Sequence, residues 1–202
     1  MTRIKLCGLS RLCDIETANK LKPDYIGFVF APQSRRYITP EQAAEMKRLL
    51  DPGICAVGVF TDETPEGAAE LLNRGVIDMA QLHGSEDEAY IRKLRKLTDR
   101  PMIRAFQIKN GKDAAEAEQS QADYILLDSG AGTGTAFNWD LIKNIKRSYF
   151  LAGGLDAENV PYGIKALHPF AVDVSSGIET DGKKDCGKMA AFVAAVRKED
   201  QK

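Results

Sequence analysis

Cys7 closes a short run, Arg3 to Cys7, and stands immediately before Gly8; Asp128 closes another, Asp123 to Asp128. A thiol serves as base or nucleophile when nearby cations stabilise its thiolate, and Lys5 lies two residues away. Position alone leaves the other reading open, a buried inert cysteine that packs as a small hydrophobe. Cys13, Cys55 and Cys186 are read in that second way. Asp128 precedes Ser129-Gly130-Ala131-Gly132-Thr133-Gly134-Thr135, too glycine-rich for a plain connector and suited to a mobile lid. A carboxyl beneath such a lid is a better acid candidate than most. The loop lacks the Gly-Lys-Ser/Thr ending of a nucleotide-binding motif. The histidines are His83 and His168, so acid and base chemistry falls on carboxylates, thiols or one of these two.

The elements that must hold these groups recur with a regular period. Short β-rich runs begin at Arg3, Asp24, Ile54, Val76, Pro101, Asp123, Tyr149 and Phe170. Polar, helix-forming stretches lie between them, with start signals at Thr39-Pro40-Glu41, Thr64-Pro65-Glu66 and Ser85-Glu86-Asp87. Eight β-then-α units with right-handed crossovers predict a single-domain (β/α)8 TIM barrel of minimal size over residues 1–202. The open doubly wound sheet is the alternative, and its glycine-rich first turn is absent: Cys7-Gly8-Leu9-Ser10 has one glycine. The fifth helix, from GKDAAEAEQSQ, is expected to be brief or frayed.

Side chains alternate between barrel interior and helix layer. With Ile4 and Leu6 outward, Arg3, Lys5 and Cys7 face in. With Val172 and Val174 outward, Ala171, Asp173 and Ser175 face in. The same parity places Tyr124, Leu126 and Asp128 inside, and Met79, Gln81 and His83 on one face. Cys7, His83, Asp128 and Ser175 therefore collect at the carboxyl ends of the strands, where barrels keep their catalytic groups. An inward Lys5 demands a partner; strand eight closes on strand one, so Lys5 and Asp173 are expected to form an ion pair, either scaffold or a tuning pair for the site.

Two segments suit a phosphate. Leu151-Ala152-Gly153-Gly154-Leu155-Asp156 follows strand seven and Ser175-Ser176-Gly177 follows strand eight, where barrels bind phosphate through backbone N–H groups. Small residues let the backbone itself approach the anion. In the second loop, Ser34-Arg35-Arg36-Tyr37 lies between Pro32 and Pro40, and an arginine there could grip a carboxylate through its planar fork; a solvated basic loop is the plainer reading. His83 either contacts a ligand or simply finishes strand four. His168 is read as structural, and Phe137 and Trp139 as anchors for the far end of the lid.

Composition excludes several classes. Lys plus Arg number 28 against 29 Asp plus Glu, a net charge of -1, which argues against a nucleic-acid partner held by bulk positive field. The longest apolar runs, Tyr25 to Ala31 and Ile54 to Phe60, reach about a third of the roughly 20 residues a bilayer span needs. No secretory core follows the first methionine, so a cytoplasmic chain is expected. The cysteines form no CxxC pair and no zinc spacing with histidine, so no metal is expected. No long exposed apolar stripe is evident, which points to a monomer.

The ordered set Lys5-Leu6-Cys7-Gly8, Gly27-Phe28-Val29-Phe30 with Ser34-Arg35-Arg36-Tyr37, Val57-Gly58-Val59-Phe60, Gln81-Leu82-His83-Gly84, Leu126-Leu127-Asp128, Leu151-Ala152-Gly153-Gly154-Leu155, Asp173-Val174-Ser175-Ser176-Gly177-Ile178-Glu179 and Gly182-Lys183-Lys184-Asp185 closely resembles the phosphoribosylanthranilate isomerases of tryptophan biosynthesis, nearly end to end. The resemblance implies a (β/α)8 barrel, a small phosphoribosyl substrate, an Amadori rearrangement and no metal or organic cofactor. It makes Cys7 the general base, Asp128 the general acid and Arg36, rather than Arg35, the arginine that binds the anthranilate. His83, Gly153, Gly154, Ser175, Ser176 and Gly177 complete the expected substrate contacts. A cation field at Cys7 and a shielded pocket at Asp128 are expected to bring the two pKa values toward each other. The chain departs from the family's lid at Ala131 and Asn138, where Gly and Asp are usual; the added methyl narrows loop freedom and the lost charge weakens a helix start. Rival readings are another phosphosugar isomerase or epimerase, whose metal-dependent forms need more histidines than two, and a non-catalytic phosphate-ligand-binding barrel, which would be expected to have lost Cys7 or Asp128.

Overall fold

Eight strands, most of them rich in β-branched or aromatic residues, pair in parallel with their sequence neighbours, and β8 pairs with β1 to close a barrel. In the computed structural model, which describes residues 1–128 and 139–201, they are β1 (Arg3–Cys7), β2 (Tyr25–Val29), β3 (Cys55–Phe60), β4 (Met79–Leu82), β5 (Met102–Gln107), β6 (Tyr124–Asp128), β7 (Tyr149–Ala152) and β8 (Ala171–Val174). The fourth run begins later than its β-rich letters indicate. Val76 and Ile77 are buried with the helix layer, and Asp78 holds the strand's entry by accepting from Ala56 N at 2.8 Å.

The helices are α1 (Leu12–Leu21), α2 (Pro40–Leu49), α3 (Pro65–Asn73), α4 (Glu88–Arg95), α5 (Gly111–Gln119), α6 (Val160–Leu167) and α7 (Cys186–Glu199). Three begin where the start signals lie: Thr39, Thr64 and Asp87 accept from the backbone N–H of Gln42, Gly67 and Tyr90. The fifth helix is firmer than its composition implies. Asn110 and Asp113 form a reciprocal capping box, and Ala114 and Ala117 are buried, so small residues supply its inner face. The sixth unit corrects the expectation of eight helices. Among the described residues β6 is followed only by a short 3-10 turn, Trp139–Leu141. Arg147 ties down that segment, its guanidinium donating to the carbonyls of Ser120 and Ala122. Trp139 packs against the helix-layer core; Phe137 and the glycine-rich loop that the two were expected to anchor lie outside the described residues.

Strand parity sorts the core as predicted. Ile4, Leu6, Ile125, Leu127, Val172 and Val174 are buried between barrel and helices, each contributing about 1.5–3 kcal/mol on full burial. Tyr25, Val57, Met79, Ile103, Leu126, Phe150 and Ala171 fill the interior. Arg3, at the outer edge of this filling, donates to Tyr25 Oη at 2.8 Å and lies over the Phe170 ring, closing the floor. Nearer the carboxyl ends, Cys7, Val29, Ala31 and Val59 form a separate small cluster. No helix among the described residues is long and apolar enough to cross a membrane.

One element has no counterpart among the eight units. Beyond β8, a 3-10 turn (Ser176–Ile178) leads into an antiparallel hairpin of β9 (Glu179–Thr180) and β10 (Lys183–Lys184), turned by Asp181 and Gly182 with φ of 50° and 75°. Two successive residues at positive φ make the tight turn that Asp-Gly favours. Its register sets Glu179 directly opposite Lys184.

Candidate active site

A cavity of about 370 Å³ opens at the carboxyl ends of the strands, and Cys7, Arg36, His83, Asp128, Asp173 and Ser175 all line it. Gly153, Gly154 and Ser176 complete its rim on the β7 and β8 side. Gly177 does not face the cavity. A Cβ there would sit 1.9 Å from the carbonyl oxygen of Leu155, so this glycine lets the loop after β8 press against the loop after β7. Gly153 and Gly154 have φ of 94° and 63°, which L side chains adopt only under strain.

Cys7 is buried at the end of β1, and its thiol occupies space that Gly27 leaves open: a Cβ on Gly27 would lie 2.7 Å from Sγ. Two residues below, the fully buried Lys5 places Nζ 3.0 Å from Asp173 Oδ1, across the β1–β8 pairing that sets these residues opposite each other. The expected ion pair is therefore present. Burial works to lower the Lys5 pKa, but Asp173 and Cys7 together outweigh it and hold the group charged. For Cys7 the direction is opposite to that expected. Burial pushes the thiol up, Asp173 adds to the rise, and the fields of Lys5 and Lys184 do not overcome them.

Arg36 reaches the cavity past Gly8, whose φ of 80° and missing side chain make room; a Cβ there would meet Arg36 Cδ at 2.5 Å. Its fork is held from behind: Nε lies 2.6 Å from Glu179 Oε1 and Nη2 3.0 Å from Oε2. The pairing engages Nε and Nη2 while Arg36 lines the cavity. Glu179 also takes Arg35 Nη2 at 2.6 Å and Lys184 Nζ at 2.7 Å. Burial alone would raise the Glu179 pKa, yet Arg36 and Lys184 bring it down to about 2. Lys184, buried and shifted downward by that burial, further donates to Ser175 O at 2.8 Å and so ties the loop after β8 to the arginine clamp. Glu179 and Lys184 were not assigned roles by sequence reasoning. The signal was the Asp181-Gly182 dipeptide, which marks a two-residue hairpin and hence a cross-strand pair.

His83, at the end of β4, sets Nε2 3.5 Å from Asp128 Oδ2 and Nδ1 3.0 Å from Gln81 Nε2. Parity had aligned Gln81 with His83 without giving it work; it is buried and lines the cavity. His168 stays apart as the left-handed C-cap of α6, in keeping with a structural role. No cluster of three or more metal-ligating side chains occurs among the described residues.

Comparison with known proteins agrees with this geometry. Residues 4–195 match the family model described as N-(5'phosphoribosyl)anthranilate (PRA) isomerase. The N-(5'-phosphoribosyl)anthranilate isomerase of Endomicrobium trichonymphae is 40% identical over 98% of this chain and 99% of its own length. That of Clostridium acetobutylicum is 42% identical over 98% and 99%. The crystal structure of phosphoribosyl anthranilate isomerase from Thermotoga maritima superposes with a TM-score of 0.90 at 36% identity, covering 98% of this chain and all of that one. A structure of the same kind of enzyme in complex with reduced 1-(o-carboxyphenylamino)-1-deoxyribulose 5-phosphate gives 0.88 at 36%, over 98% and 100%. At 17% identity, 3-hexulose-6-phosphate synthase from Salmonella typhimurium shares the barrel alone. Similarity that spans both chains from end to end, at 40 to 42% identity, singles out one family among the phosphosugar barrels: this chain belongs to the N-(5'-phosphoribosyl)anthranilate isomerases of tryptophan biosynthesis.

Proposed function

We propose that this chain converts N-(5'-phosphoribosyl)anthranilate to 1-(2-carboxyphenylamino)-1-deoxyribulose 5-phosphate, with Asp128 as general acid and Cys7 as general base. The observation that carries this reading is the placement of a thiol and a carboxyl on one cavity beside an arginine fork. Arg36 binds the anthranilate carboxylate. The phosphate lies against the backbone of Gly153, Gly154, Ser175 and Ser176, with Gly177 holding the two loops together, and His83 borders the pentose.

Asp128 donates its proton to the ring oxygen as the C1′–O bond breaks, and the anilino nitrogen supplies the electron pair that forms the C1′=N bond. The ring-opened species is a protonated Schiff base. Its positive charge acidifies the C2′ proton and favours the thiolate of Cys7 at the moment a base is needed. Cys7 takes that proton, the electrons move to nitrogen to give an enolamine, and protonation at C1′ with loss of the hydroxyl proton yields the ketone. Lys5, fixed by Asp173, supports the thiolate from below.

Alkylation tests the base. In a chain whose Cys13, Cys55 and Cys186 are replaced by serine, substrate should protect Cys7 from iodoacetamide, and modification should abolish turnover. An alkylated Cys7 with turnover intact overturns the assignment. We further propose a monomer at work in the cytoplasm. The exposed large apolar side chains, Leu12, Leu49, Leu97 and Tyr162 among them, lie on separate elements, and the four free cysteines suit a reducing compartment. The Thermotoga maritima enzyme is described as dimeric, so light scattering decides the point for this chain: the mass of one 22.2 kDa chain supports the monomer and twice that mass refutes it.

A further inference from the structure

Asp173 is engaged on one side only. Its Oδ1 accepts from Lys5 Nζ at 3.0 Å, and Oδ2 accepts from no described residue. That second oxygen is not sealed in the interior: the Asp173 side chain keeps 8% of its surface and lines the cavity, whereas Lys5 keeps none. The free edge of the carboxylate therefore opens onto the cavity. The Lys5 ammonium that holds the other edge also acts on Cys7. Cys7 and Asp173 thus flank one cation, as inward residues on the adjacent strands β1 and β8.

The last step of the rearrangement needs an acceptor at this place. An enolamine becomes a ketone when C1′ gains a proton and the C2′ hydroxyl loses one. Cys7 must touch the hydrogen on C2′, so the hydroxyl on that same carbon falls among the neighbours of Cys7. Lys5 is shut beneath the cavity and, like Arg36, can only donate. Asp128 is committed to the ring oxygen, on another carbon. A carboxylate oxygen accepts, and Asp173 holds one open beside Cys7.

We propose that Asp173 is a further catalytic residue, whose Oδ2 binds the C2′ hydroxyl and takes its proton as the ketone forms. This role rests on the reading of Cys7 as the base. Holding the hydroxyl restricts rotation at C2′ and keeps its hydrogen toward Cys7. In the enolamine the O–H bond then breaks toward Oδ2 and its electrons form the C2′=O bond. The C1′=C2′ pair takes up, at C1′, the proton that Cys7 had removed, and Cys7 is again a thiolate. Asp173 releases its proton to solvent as product leaves, and Asp128 regains one, so the isomerisation is proton-neutral.

Two ligands separate this contact from a scaffold role: reduced 1-(o-carboxyphenylamino)-1-deoxyribulose 5-phosphate and the same compound without its C2′ hydroxyl, their affinities measured by calorimetry. The wild-type chain should bind the second roughly 10- to 100-fold more weakly. In Lys5→Met with Asp173→Leu, which strands no charge, the two affinities should agree to within about 2-fold, whereas damage to the scaffold alone would weaken both ligands and keep their ratio. Asp173→Asn can still hydrogen-bond the hydroxyl but cannot take its proton. Its kcat should fall at least about 10-fold while affinity for the hydroxylated ligand stays within about 3-fold of wild type. Equal affinities in the wild type, a ratio that survives in the double variant, or full kcat in Asp173→Asn overturns the proposal. Should Asp173→Asn fail to fold, the wild type and the double variant carry the test. Full turnover by Cys7→Ser would instead remove Cys7 as the base and leave the measured hydroxyl contact standing.

Discussion

Lys5 Nζ and Asp173 Oδ1 lie 3.0 Å apart in the barrel interior, one residue pair below the Cys7 thiol, and neither side chain has appreciable access to solvent. Charge placed at such depth is a structural commitment. Removing one partner strands the other, whereas replacing both with apolar groups removes the desolvation cost along with the attraction.

Lys5→Met should therefore lose about 3–5 kcal/mol of stability in urea unfolding, and Lys5→Met with Asp173→Leu should recover most of it. Turnover should stay low in both, because the cation that supports the thiolate is gone in each. A double variant that recovered rate as well as stability would reduce the pair to scaffold.

The thiol's upward shift has a sign that kinetics can read. Cys7 must lose its proton to act as base, and burial raises its pKa above the ordinary 9.0 in the free protein. Accordingly the rate at which Cys7 is alkylated in the free protein, which follows its thiolate fraction, should climb with pH across the neutral range without levelling off there. Labelling should follow the same logic: exposed Cys13 and Cys186 should react with a maleimide well before buried Cys7. A plateau near pH 7, or Cys7 labelled first, would contradict the shift.

Gly27→Ala places a methyl 2.7 Å from Cys7 Sγ. The neighbouring thiol and strand must give way, so the variant should lose about 1–3 kcal/mol of stability and a larger share of kcat than of substrate affinity. Calorimetry with steady-state kinetics checks both.

Glu179 offers a pH test of stability. Its folded pKa of about 2 lies below the ordinary 4.5, so its contribution is present above pH 4.5 and lost as pH falls toward 2, on the order of 3 kcal/mol in all. Glu179→Gln should flatten stability across that window. It should also raise KM, since Arg36 loses the carboxylate that aims its fork. Acid titration of unfolding free energy in the two proteins compares them.

The barrel was legible because its evidence is periodic. Eight runs at a common spacing and a two-residue alternation within β1, β6 and β8 foretold both the closure and the Lys5–Asp173 pair, which the β1–β8 register then delivered. What escaped notice depended on distances no spacing encodes. The Cys7 direction turned on whether burial or the Lys5 field was larger, and burial won. Glu179 and Lys184 meet through a short hairpin outside the repeat, and Gln81 had its face assigned but not its partner. In the sixth unit the described segment from Trp139 onward forms a short 3-10 turn that buries Ile142 and is tied at its end by Arg147.

The central claim is that Cys7 and Asp128 together perform the rearrangement. Its most direct test is the decay of fluorescence of freshly generated N-(5'-phosphoribosyl)anthranilate, followed with the wild-type chain, Cys7→Ser and Asp128→Asn. Rapid decay with the wild type, slowed at least about 100-fold in each variant while all three still bind a reduced product analogue, is the predicted result. A wild-type chain that binds the analogue and leaves the decay at its spontaneous rate, or a variant that matches wild type, would contradict it.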